Sequence, residues 1–161
     1  MIDLTNIQSE VGEWARRNFP NATPQMAWLG VIEEVGELAH AVLKFRQGIR
    51  GTAEEHRAAM RDAVADATIF ALHYRELKKH APLVIEPDHV VIAPTLERWV
   101  MAAACEAGTI APRDRHSADL IKTLAVSETV AGFDFLSALE ETWAEVRKRD
   151  WITFPKNGRT E

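Results

Sequence analysis

With 161 residues, 47% of them hydrophobic, the chain has apolar material for one domain with a real core and too little length for two ordinary ones. A formal net charge of -5 argues against a general nucleic-acid binder, whose affinity comes from a basic surface. No apolar run approaches the roughly 20 residues of a membrane span, the N-terminus shows no signal pattern, and Cys105 is the single cysteine. The composition therefore predicts a cytoplasmic protein with no membrane partner, no disulfide framework and no cysteine zinc site, with Cys105 as a small buried side chain.

A first helix is predicted over about Asp3 to Asn18, where Ile7, Val11, Trp14 and Ala15 recur at helical spacing. Phe19-Pro20-Asn21 ends it, and Thr23 followed by Pro24 starts a second, because proline is tolerated where the first amide has no partner. Trp28, Val31, Val35, Leu38, Val42 and Phe45 give this helix one long apolar stripe, with Gly48 as its stop. Thr52 and Glu55 form a capping box that opens a third helix reaching about Lys79. The second and third helices should then make an antiparallel hairpin.

Pro82, Pro87 and Pro94 bracket Leu83-Val84-Ile85 and His89-Val90-Val91-Ile92, which we read as an irregular connection in preference to strands. Helices follow over Thr95 to about Ala107 and Ser117 to about Val130, separated by Pro112-Arg113-Asp114. A last helix opens near Asp134 and buries Leu136, Leu139, Trp143 and Val146 ahead of the tail from Asp150 to Pro155. The predicted architecture is all-α, a helical bundle built on a hairpin carrying two acidic motifs.

Asp66 is the residue that points to chemistry. A helix over Asp62-Ala63-Val64-Ala65-Asp66-Ala67-Thr68-Ile69-Phe70-Ala71-Leu72 is apolar on nearly every side apart from its acids, so Asp66 must be neutral, paired or bound to a cation. Glu33-Glu34-Val35-Gly36-Glu37 is a second acidic cluster in an apolar pattern, and neither cluster contains a basic residue. Glu34 and Glu37 project about 60° apart on a helix, Glu33 about 40° from Glu37 on its other side, and Asp62 about 40° from Asp66. Five facing carboxylates repel one another in a partly dry site, and Mg²⁺, or Mn²⁺ as second choice, resolves the conflict with oxygen ligands. Magnesium keeps positions open for substrate phosphates, so such a cage suggests phosphate chemistry. The competing reading, solvated helix faces paired with surface Lys and Arg, is strongest for Glu33, which lies furthest from the apolar arc.

The pattern E-E-x-x-E at Glu33, Glu34 and Glu37, followed by a helix bearing Asp62 and Asp66, resembles the MazG-like all-α nucleoside triphosphate pyrophosphohydrolases. The segment Glu141-Thr142-Trp143-Ala144-Glu145-Val146, with Arg149-Asp150-Trp151 and Pro155-Lys156-Asn157-Gly158, is similar to the C-terminal helix and tail of many small members. Many members carry E-x-x-D in the second motif; here Ala63 stands at the Glu position and Asp62 lies one residue earlier. The resemblance implies a single domain over 1–161 with an insertion at about 82–131, and Mg²⁺-dependent hydrolysis of a nucleoside triphosphate to the monophosphate and pyrophosphate. It also implies a homodimer or homotetramer, supported by the need to cover Val31, Val35, Leu38 and Val42.

On this resemblance Glu34, Glu37 and Asp66 are metal ligands, Asp62 a ligand or ligand-orienting group, and Glu33 the residue that positions or deprotonates the attacking water. Lys44, Lys148, Arg149 and Lys156 are phosphate donors, Lys44 being about 20° from Glu37 in projection and two turns on. Trp28 is a base-stacking candidate that equally continues the apolar stripe, whereas Trp14 and Trp143 read as core. Phosphoribosyl-ATP pyrophosphohydrolase is the nearest rival, and a noncatalytic metal-binding interaction module another. A di-iron bundle, suggested by the E-x-x-H at Glu37 and His40, lacks a second helical copy, since Glu86-Pro87-Asp88-His89 has proline after Glu.

Overall fold

The computed structural model describes residues 1–86, 95–109 and 116–159. These residues are mostly helical, and no helix among them is long and apolar enough to cross a membrane. The chain opens with a short strand, β1 (Ile2–Asp3), ahead of α1 (Thr5–Asn18). The helix begins at Thr5 and not at Asp3, because Ile2 and Asp3 pair antiparallel with β2 (Val84–Ile85) and the Asp3 carboxylate accepts the Thr5 amide at 2.9 Å. Leu83 to Ile85 is thus partly a strand, a correction to the irregular connection expected there; the segment from His89 to Ile92 lies outside the described residues.

α2 (Pro24–Gln47) starts and stops as expected: the Thr23 hydroxyl accepts the Met26 amide at 3.2 Å, and Gly48 takes the left-handed conformation, φ 64°, that ends the helix. α3 (Ala53–Leu77) is opened by a reciprocal box in which Thr52 N–H donates to Glu55 at 2.6 Å and Glu55 N–H donates to the Thr52 hydroxyl at 3.2 Å. It ends two residues short of the expected Lys79, which adopts a positive φ of 57°.

α3 is the central helix, packed on α1, α2, α5 and α7. Every residue from Ala63 to Arg75 is buried except Asp66 and Phe70, which are half-buried. α2 lies close against it: a Cβ added at Gly30 would sit 2.5 Å from the Phe70 ring, so glycine is what lets the helices approach there. α4 (Leu96–Ala107), capped by Thr95, packs on α2.

The helix expected from Ser117 to Val130 is two, α5 (His116–Leu124) and α6 (Ser127–Ala131). The Trp99 indole donates to the Thr123 carbonyl at 2.7 Å, taking the acceptor that residue 127 would use in a continuous helix, and the buried Ser127 hydroxyl turns to the Phe133 carbonyl at 3.1 Å. α7 (Phe135–Val146) is capped by Asp134. Phe135 is its buried leading residue, while Leu136 is only half-buried. Cys105 is exposed, against the buried reading.

A buried polar network ties α1 to α3. Arg75 donates to Gln8 at 3.3 Å, to Ser117 at 3.3 Å and to the Ala81 carbonyl at 2.6 Å, while the Gln8 amide donates to Glu76 at 3.0 Å. Its groups are mutually satisfied, as burial demands.

Candidate functional site

Along α2 and α3, Phe45 shares the Arg57 guanidinium, Glu34 feels Asp66, and Gly30 faces Phe70. The acids of the two helices therefore meet across one seam. They open to two sides of it. Glu34 and Asp66 line a cavity of about 400 Å³ walled by Trp14, Phe19, Phe70 and Trp151. Glu33, Glu37 and Asp62 line a neighbouring polar basin of about 620 Å³ together with His40, Arg50 and His56.

Burial pushes the Glu34 carboxyl up to about 8, helped by Asp66, Glu37, Glu33 and Asp62. Burial likewise raises Asp66 to about 6, helped by Asp62 and Glu37 and opposed by Arg149. Glu34 thus feels the charge of the other four carboxylates picked out by the sequence, and Asp66 that of Asp62 and Glu37. Glu33, Glu37 and Asp62 are exposed, and Glu34 and Asp66 half-buried. Among the described residues no three His, Cys, Asp or Glu side chains converge closely enough to form a ready-made metal site. The donor chemistry nonetheless suits a hard divalent cation, since the groups are oxygen donors whose mutual repulsion a cation relieves.

The tail is locked onto α1, and this carries Arg149 and Trp151 into the cavity wall. Trp14 donates its indole N–H to the Arg149 carbonyl at 3.0 Å. The Trp151 amide donates to the buried Asn18 side chain at 2.7 Å, and the Asn18 amide donates back to the Trp14 carbonyl at 3.0 Å. Asp150 closes the turn by accepting from the Ile152 and Thr153 amides at 3.1 and 3.0 Å, and its own amide donates to the Gly158 carbonyl at 2.8 Å. Gly158 has φ 71°, and a Cβ there would meet Arg149 Cβ at 2.9 Å, so the turn needs glycine on both counts.

The other cationic candidates sit elsewhere. Lys44 donates to Gln47 at 3.0 Å, Lys148 pairs with Glu145 at 2.5 Å, and Lys156 is exposed on the tail; none of the three lines the cavity or the basin. Trp28 is used in packing: its indole donates to the Ala107 carbonyl at 2.9 Å and its ring lies 4.9 Å from that of Tyr74. It does not line the cavity. Trp143 is buried, donating to Glu10 at 2.7 Å, whereas Trp14 is half-buried and forms part of the cavity wall.

Sequence reasoning passed over Phe19, Trp151, Phe70 and His73 as site residues. Phe70 and His73 carry a legible signal, lying four and seven residues beyond Asp66 on the same helix face. Phe19 and Trp151 do not, because only the fold of the tail brings them together, with ring centroids 6.5 Å apart. The assembly argument also changes. Val31, Val35, Leu38 and Val42, expected to need a partner's cover, are buried within the chain, and the apolar residues left open on α2 are Met26, Leu29, Ile32 and Leu43.

Comparison with known proteins gives no matching family model, no matching curated protein and no matching solved structure.

Proposed function

We propose that the chain is a metal-dependent nucleoside triphosphate pyrophosphohydrolase, releasing the monophosphate and pyrophosphate. The observation that carries this reading is the pairing of Glu34 and Asp66, two half-buried carboxylates both raised by burial, Glu34 also by the charge of Asp66, at the wall of an aromatic cavity that also holds Arg149. In this reading α2 and α3 are an antiparallel hairpin presenting both acidic motifs of a MazG-like domain. Glu34, Glu37 and Asp66, with Asp62, would hold Mg²⁺. Mg²⁺ would offset charge on the polyphosphate and lower the barrier for attack at phosphorus.

The chain's own contributions follow from placement. Glu33, exposed on the basin side, accepts a proton from the attacking water. Arg149, already within electrostatic reach of Asp66, donates to a phosphate oxygen. Exposed Glu37 and Asp62 can turn toward the seam at little cost in packing. The open α2 stripe of Met26, Leu29, Ile32 and Leu43 is the surface on which a dimer or tetramer would form.

The test is Mg²⁺-dependent pyrophosphate release from a panel of ribo- and deoxyribonucleoside triphosphates and phosphoribosyl-ATP. Glu37→Gln and Asp66→Asn should each lower kcat by at least about 100-fold while far-UV circular dichroism is unchanged. Normal turnover in both variants would remove the assignment, and a wild type that binds Mg²⁺ but releases nothing would leave a noncatalytic metal-binding module.

A further inference from the structure

The cavity beside Glu34 and Asp66 contains one polar group that hydrolysis does not call for. His73 lines it from α3, about 10 Å further along the helix than Asp66 and about 20° away in projection. It is 8% exposed, and among the described residues neither ring nitrogen has a hydrogen-bond partner. Its ring nitrogens are not fully buried, so on the cavity wall they remain open to a ligand or a water. Burial holds its pKa below the ordinary histidine value, so near neutral pH one ring nitrogen donates and the other accepts.

The surroundings select the kind of ligand. Phe19, Phe70 and Trp151 offer flat apolar faces, and the indole N–H of Trp14 is already given to the Arg149 carbonyl. Arg149, and the carboxyl groups of Glu34 and Asp66 through a cation, can serve a phosphate-bearing portion, whereas His73 is neutral and adds a donor and an acceptor to a largely apolar wall. A cavity of about 400 Å³ with that division suits a planar heteroaromatic ring joined to a charged group. We propose that it seats the nucleobase of the nucleotide against the aromatic walls, and that His73 is the specificity-determining residue that hydrogen-bonds the base edge. The inference rests on the hydrolase reading for the identity of the ligand.

The experiment is a tryptophan-fluorescence titration with AMP, GMP, CMP, UMP and dTMP in Mg²⁺ buffer, since Trp14 and Trp151 line the cavity and report occupancy. At least one monophosphate should quench saturably. His73→Leu should weaken the tightest of the five by about tenfold and the weakest by less than about twofold, narrowing the spread among bases. His73→Gln, which keeps a donor and an acceptor, should retain tight binding but reorder the five, and it serves if the leucine variant fails to fold.

No saturable quenching by any monophosphate, or an equal loss for all five in a folded variant, overturns the assignment of His73. So does an unchanged spread. Base-selective binding with no pyrophosphate release from any triphosphate would refute hydrolysis and leave the base site standing. Release that continues with the same base preference in both His73 variants would do the reverse.

Discussion

Glu34 gives the sharpest physical test. Below pH 4.5 its carboxyl is protonated whether the chain is folded or not. Between 4.5 and about 8 the unfolded chain loses that proton while the folded chain keeps it, so the folded state loses relative stability as pH rises through this window. Above about 8 both states are ionised and the full penalty remains. At about 1.4 kcal/mol per pH unit the unscreened penalty approaches ~5 kcal/mol. Glu34 is only half-buried, and solvent screening reduces this to ~1–2 kcal/mol. Glu34→Gln, which removes the charge at nearly constant shape, should therefore raise Tm by about 2–8 °C above pH 8 in EDTA, and by almost nothing near pH 4. The assay is thermal melting followed by far-UV circular dichroism from pH 4 to pH 9. Added Mg²⁺ should raise the wild-type Tm more than that of the variant, reversing the order. A Glu34→Gln variant that is less stable than wild type above pH 8 without metal, or that keeps the wild-type pH slope, would refute the claim that repulsion and burial strain this seam.

Two further outcomes follow from the tail. Arg149→Met should move the Asp66 carboxyl upward from about 6, because burial, Asp62 and Glu37 then act without the guanidinium that opposes them; carbon-13 titration of the aspartate carboxyls reads this directly, and an unmoved or lowered value would show that Arg149 does not face Asp66. Gly158→Ala should cost about 1 kcal/mol or more in stability, from the left-handed backbone and the contact with Arg149 Cβ, and should lower kcat/KM through displacement of Arg149 and Trp151; unchanged melting and turnover would show that the turn does not hold the cavity wall.

What was legible in the sequence was whatever local chemistry decides. Thr23, Thr52, Thr95 and Asp134 mark helix starts because each side chain accepts a backbone amide within three residues, a contact that the fold need not supply. The errors fall where distant groups intervene. Trp99 takes the Thr123 carbonyl and splits one expected helix in two, and β2 captures the residues before α1. The exposed stripe was misread for a related reason. Periodicity shows that α2 has an apolar face, but Val31, Val35, Leu38 and Val42 find their cover within the chain, and Met26, Leu29, Ile32 and Leu43 are the residues left open.

The candidate site divides along the same line. The acids of α2 and α3 were readable because helical spacing alone places Glu33, Glu34 and Glu37 near one another, and likewise Asp62 and Asp66. Their separation into a half-buried pair and an exposed trio was not readable, because it depends on how deeply the seam between the helices is covered. That cover comes from the far end of the chain: Asn18 and Trp14 hold the tail by two hydrogen bonds, and the tail sets Trp151 against Phe19 and Arg149 near Asp66. A guanidinium more than eighty residues away in sequence is what moderates an acid that the local sequence presents as unpaired. The seam therefore owes its acids to two neighbouring helices, while its depth, its aromatic walls and the guanidinium of Arg149 near Asp66 depend on the docking of the tail on α1.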